Sequence, residues 1–161
     1  MRPRSAETTN EPTAAAATND AYAVYAYDTS MMVEYATLDG GSSGVGLHLE
    51  DSGAADLMHL DLSGFSGLEV YNTQFRYNMG TADAEDAIYV SDATGLVENL
   101  TWGPNVNTQV ELAVGASVTS IGQDLTPSML VLAAGTMIEE ANLLDITTSH
   151  LGADTTREVG V

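Results

Sequence analysis

The 161-residue chain has no cysteine, no lysine, one tryptophan and two phenylalanines, and its four basic residues are Arg2, Arg4, Arg76 and Arg157. Without cysteine there is no disulfide frame, no thiolate metal site and no cysteine nucleophile. Cations are scarce against 23 acidic residues, which leaves a formal net charge of −19. A body this anionic repels phosphate backbones and anionic lipid, so neither nucleic acid nor a membrane surface is expected among its partners. Hydrophobic residues nonetheless reach 44% and charged residues only 17%, enough apolar material for one folded core.

Nineteen uncompensated charges on a body of this size push against one another and destabilise the compact state. In molar salt the screening length falls to about 3 Å and most of that repulsion disappears. The acidic residues are spread along the chain rather than gathered in a tail, so the whole surface is suited to brine. In this respect the composition, which carries no motif, resembles proteins of halophilic archaea and of the viruses that infect them.

Three regions follow from composition. Residues 1–20 hold two prolines, an alanine run and many Thr and Asn, with no apolar stretch long enough for a signal h-region or a membrane span. They read as an extended polar arm in which Arg2 and Arg4 oppose Glu7, Glu11 and Asp20. Residues 21–151 read as a single all-β domain, and residues 152–161 as a polar tail.

Within the domain, apolar residues alternate at Val24-Tyr25-Ala26-Tyr27, Leu47-His48-Leu49, Leu68-Glu69-Val70-Tyr71, Ile88-Tyr89-Val90, Val110-Glu111-Leu112 and Leu130-Val131-Leu132, the period of half-buried strands. Turn residues follow the first four, with Asp28, Asp51, Asn72 and Asp92 at the fifth position of each unit. A second apolar run then begins, as at Met31–Tyr35 and Val118–Ile121. Residues 137–144 contain enough helix formers to permit one helical turn. The units start 23, 21, 20, 22 and 20 residues apart.

Two architectures fit this spacing. About six hairpin units would close into an antiparallel β-sandwich, jelly roll or barrel. Coils of about 21 residues would instead stack as a short parallel β-solenoid, with Asp28, Asp51, Asn72 and Asp92 at equivalent corners. Residues 78–87 (NMGTADAEDA) offer no apolar third side for a coil, and antiparallel pairs outnumber parallel ones two- to three-fold. On that weighing the antiparallel sandwich is the favoured expectation.

Catalytic patterns are sparse. His48, His59 and His150 form no HExxH motif; a His and carboxylate metal site would need strands 47–51 and 57–62 to be neighbours. Gly40-Gly41-Ser42-Ser43-Gly44 matches GxSxG in letters, but that motif works on a strand-to-helix elbow, and here a strand is expected to follow. There is no DxDxDG calcium loop and no phosphate-binding glycine loop. Asp83-Glu85-Asp86 is a candidate for holding cations at acidic interfaces between subunits. Among 23 carboxylates no pair stands out for glycoside hydrolysis. Neither a cofactor nor a catalytic set is expected. Asn99-Leu100-Thr101 is the one N-glycosylation sequon.

The aromatic residues suggest contact instead. Tyr22, Tyr25 and Tyr27 lie in or beside the first strand and Tyr35 follows its turn, a candidate interface together with Arg2 and Arg4, since tyrosine supplies area while keeping a polar tip. Trp102 is a candidate for stacking on a ligand. The resemblance to halophilic virion proteins implies a non-enzymatic capsid, turret, decoration or minor tail subunit, assembled in the host cytoplasm and partnered by its own copies and by other virion proteins. A carbohydrate- or receptor-binding β module and a small polysaccharide-processing solenoid are the alternatives.

Overall fold

The structure, a computed structural model, describes residues 13–16, 21–142 and 145–152, and the side chains of residues 21–141. Its strands are β1 (Thr13–Ala16), β2 (Tyr22–Tyr27), β3 (Met31–Asp39), β4 (Val45–Glu50), β5 (Ala54–Tyr71), β6 (Gln74–Asn78) and β7 (Thr81–Ser91). These are followed by β8 (Thr94–Glu98), β9 (Thr101–Trp102), β10 (Thr108–Leu112), β11 (Ser117–Ile121), β12 (Leu130–Leu132), β13 (Met137–Asn142) and β14 (Asp145–Gly152). A short 3-10 turn, Pro127–Met129, precedes β12.

The chain winds into a parallel β-solenoid of about six turns. Face A stacks β2, β4, the end of β5, the end of β7, β10 and β12. Face B stacks the start of β3, the start of β5, β6, β8, β11 and β13. Face C holds β1, the end of β3, the middle of β5, the start of β7 and β9. Among the described residues the one antiparallel pairing is β13 with β14. Residues 13–16 of the expected arm thus form a strand on residues 36–39; Arg2 and Arg4 lie outside the described residues.

The periodic starts seen in sequence are the stacking register itself. Val24, Leu47, Leu68, Ile88, Val110 and Leu130 lie one above another on face A, and Leu47, Leu68, Ile88 and Val110 are buried. Turning between faces A and B requires left-handed backbone, which Asp and Asn tolerate best among residues with a Cβ. Asp28, Asp51, Asn72 and Asp92 supply it at φ 48°, 49°, 43° and 48°. Within this column Asn72 Nδ2 donates to Asp51 Oδ1 at 2.8 Å. A second left-handed column turns face B into face C through Tyr35, His59, Met79 and Asn99 at φ 51–54°, where the first three residue types give no turn signal.

The favoured antiparallel sandwich is therefore corrected to its alternative, and the physical reason lies in the segment that argued against a coil. Face C of the third coil is filled by Ala82 and Ala84, and by a side chain from face B. Tyr77 is fully buried, and its hydroxyl donates to Leu60 O at 2.7 Å. A Cβ on Gly80 would collide with Leu60 O and the Tyr77 ring. One large ring thus supplies the volume that the apolar third side was expected to supply. The helical turn allowed at residues 137–144 is also replaced: residues 137–142 are strand, and Ile138 is buried against its register partner Val118.

Candidate functional site

On the outer side of face A the 20- to 23-residue coil brings aromatic, histidine and carboxylate side chains into rows. Tyr25, His48, Glu69, Tyr89 and Glu111 share one row, and Tyr27, Glu50 and Tyr71 the next. The Tyr25 and His48 rings stack at 5.1 Å and the His48 and Tyr71 rings at 5.0 Å, while Tyr71 tilts against Tyr89 at 5.4 Å. Tyr22 closes one end of the group against both Tyr25 and His48.

Polar groups knit this strip together. Tyr25 donates its hydroxyl to Glu50 Oε2 at 2.7 Å, and Ser66 donates to Glu69 Oε1 at 3.2 Å. His48 is 6% exposed, with Nδ1 3.0 Å from Glu69 Oε2, a contact in which the ring donates to the carboxylate when its proton sits on Nδ1. The bond to Glu50 pushes the Tyr25 phenol up to about 12. Burial, followed by the charge of Glu69, pushes Tyr71 up to about 12 as well. Both phenols are therefore neutral donors at ordinary pH and poor nucleophiles.

The interface residues expected from the sequence separate in space. Tyr22 and Tyr25 belong to the strip, and Tyr27 lies on the same strand, 56% exposed. Tyr35 sits instead at the corner between faces B and C, stacked on His59 at 4.6 Å with 7° between the planes. His48 and His59 are not brought together: β4 pairs with residues 66–71, whereas His59 lies on the part of β5 that pairs with β3. No group of three or more His, Cys, Asp or Glu side chains poised for a metal occurs among the described residues. Trp102 is half-buried, packs against the core, and donates Nε1–H to Asp124 O at 2.9 Å. Asn99 of the sequon is an exposed corner residue.

Glu69 and Tyr71, the partners of His48, and Tyr89, which packs on Tyr71, were not singled out from sequence. The signal was present in the spacing, since adding one coil to position 48 reaches 69 and a second reaches 89.

The corner between faces C and A carries a groove of about 540 Å³ lined by Gly41, Ser42, Gly64, Phe65, Asp83, Glu85, Pro104, Asn105 and Asn107. Gly40–Gly44, the GxSxG match, is one wall of this corner: Gly44 N–H donates to Gly40 O at 2.9 Å and a strand follows. No helix provides the elbow that the hydrolase motif requires. Asp83, of the acidic group proposed for cations, accepts from the Asn105 N–H at 2.9 Å and from Asn105 Nδ2 at 3.0 Å.

Compared with protein-family models, with curated proteins and with solved structures, the chain gives no match.

Proposed function

We propose that this chain is a structural subunit of a halophilic virus particle that works by associating with copies of itself in strong brine, rather than by catalysis. The observation that carries the reading is the make-up of the first coil, residues 22–44. Of the ten large apolar side chains exposed among the described residues, five belong to it: Tyr22, Tyr25, Tyr27, Met32 and Tyr35. Among the described residues β2 pairs only with β4 and residues 31–34 of β3 only with β5, while β1 covers residues 36–39, so backbone donors and acceptors on faces A and B line the outer edge of this coil.

An unpaired strand edge flanked by aromatic side chains is a template for another chain. The net charge of −19 opposes that contact in dilute buffer, and molar salt removes the opposition. Assembly and solvent are therefore coupled in this reading: apolar and tyrosine contact supplies the attraction, while salt mutes the repulsion.

Light scattering across a salt series tests it. The chain is expected to be oligomeric in molar salt and to dissociate as salt is withdrawn, and Tyr27→Ser with Met32→Ser is expected to weaken the oligomer at unchanged secondary structure. A monomer at every salt concentration overturns the proposal.

A further inference from the structure

We propose that the groove between faces C and A is a binding site for a neutral glycan, with the Phe65 ring as its stacking platform. The chain has two phenylalanines, and their surroundings are opposite. Phe75 is 4% exposed and covers Gly95 of the next coil. Phe65 is 42% exposed and lines a groove whose other side chains are mostly polar. No other aromatic ring packs on it among the described residues, unlike Tyr22, Tyr25, Tyr71 and Tyr89 of face A, each of which packs on another ring. A large apolar ring held at the wall of a polar groove fits a ligand with one apolar face and a hydroxylated rim.

The groove is built rather than incidental. Phe65 N–H donates to Gly41 O at 2.8 Å, and Ser66 N–H to Gly44 O at 3.1 Å, which fixes the backbone on both sides of the ring. Gly64 turns the chain at φ 103°, and a Cβ there would collide with the amides of Gly40 and Gly41 and with the Asp39 carboxylate. The opposite wall is held by the two bonds from Asn105 to Asp83 and by Asn107 N–H donating to Glu85 O at 2.9 Å. Such preorganisation lowers the ordering cost of binding.

The lining chooses the ligand class. Glu85 is an acceptor for sugar hydroxyls, and the Ser42 hydroxyl and the Asn107 amide both donate and accept. The lining includes Asp83 and Glu85 and no Arg, Lys or His, so the anionic groups of sulfated, phosphorylated or uronic-acid chains find no cationic partner there. About 540 Å³ lies within the range of sites for small ligands, roughly 300–1,000 Å³, which accommodates a short run of sugar units. Ring stacking and hydroxyl hydrogen bonds also persist in salt that screens ion pairs. This site is separate from the assembly surface, with which it shares only the end of the first coil.

Isothermal titration calorimetry in molar salt, with maltohexaose, cellohexaose and mannohexaose as neutral probes and a heparin-derived hexasaccharide as the anionic one, tests the assignment. At least one neutral probe is expected to bind, and more tightly than the anionic probe, whose charges find no cationic partner in the groove. Phe65→Ala is expected to weaken the neutral complex about tenfold, near 1.4 kcal/mol, and Phe65→Trp to retain it, with the unfolding midpoint of both variants near that of the parent. Failure of all three neutral probes overturns the proposal, as does a bound probe indifferent to Phe65→Ala, or tighter binding of the anionic probe. Light scattering on the same samples reports assembly independently, so loss of glycan binding with an intact oligomer removes this inference alone.

Discussion

The first coil and the second place similar residues at the same stacking positions, yet bury them to different depths. Val24 of the first coil lies in register with Leu47 of the second, and Val33 with Leu57. Leu47 and Leu57 are fully buried, as are Leu49, Leu60 and Leu62 of the second coil, whereas Val24 and Val33 are half-buried. None of the largest fully buried side chains comes from the first coil. Apolarity alone does not decide burial in a stack; each coil closes the cores of its neighbours, and a terminal coil has one neighbour where an interior coil has two. The first coil therefore combines looser packing than the second with the greatest aromatic exposure among the described residues, which is the make-up of a contact surface.

This contrast can be broken by substitution. Leu57→Ala is expected to destabilise the chain by about 3 kcal/mol, since it opens a cavity between two coils, while Val33→Ala at the matching position costs about 1 kcal/mol. Denaturant unfolding of both variants in molar salt measures the gap, and equal losses would mean that the end coil is covered as well as the interior.

The corners give the next effect in size. Asn72→Val puts a β-branched residue into left-handed backbone and removes the bond to Asp51, at an expected cost of about 2 kcal/mol. Asp28→Val, in the end coil, is expected to cost less because the chain there can relax outward. Thermal unfolding of the two variants side by side checks this order.

Alkaline titration separates the two phenols that reach about 12. Folding raises Tyr25 and Tyr71 above the ordinary value of 10.0, so the folded state holds protons that the unfolded chain has released. Their contribution to stability is whole below about pH 10 and is lost as pH rises from 10 to about 12. Glu50→Gln is expected to bring Tyr25 back toward about 10, because its shift comes chiefly from that hydrogen bond, and to leave Tyr71, which is held by burial, nearly unmoved. Tyrosinate absorbance follows both phenols.

The smallest expected effect is on stability at the contact surface itself. Met32→Thr changes a side chain 69% exposed, so the unfolding midpoint is expected to stay within about 0.5 kcal/mol of the parent, while sedimentation in molar salt shows weaker association.

Much of this architecture was legible from residue order. The 23-, 21-, 20-, 22- and 20-residue steps are the stacking register, and Asp28, Asp51, Asn72 and Asp92 mark one corner because their side chains suit left-handed backbone. The other corner was not legible, because Tyr35, His59 and Met79 adopt that backbone under tertiary constraint and advertise no turn. The choice of antiparallel sandwich failed at residues 78–87, where composition showed no apolar third side and no sign that Tyr77 fills that space. Of the candidate site, the tyrosines of the first coil were visible as a group. The Glu69 and Tyr71 partners of His48, the packing of Tyr89 on Tyr71, and the placing of Phe65 at a groove depend on which coil lies above which.

Residue order by itself determined the strand period, the coil length, one column of corners and the anionic surface, since each is a property of side chains and their nearest backbone. Only the tertiary structure decided that the strands run parallel, that faces A and B of the first coil have no further strand beyond them among the described residues, and that Phe75 is buried while Phe65 faces solvent. Those outcomes depend on what the neighbouring coil places against each residue, and no local preference of the residue itself contains that information.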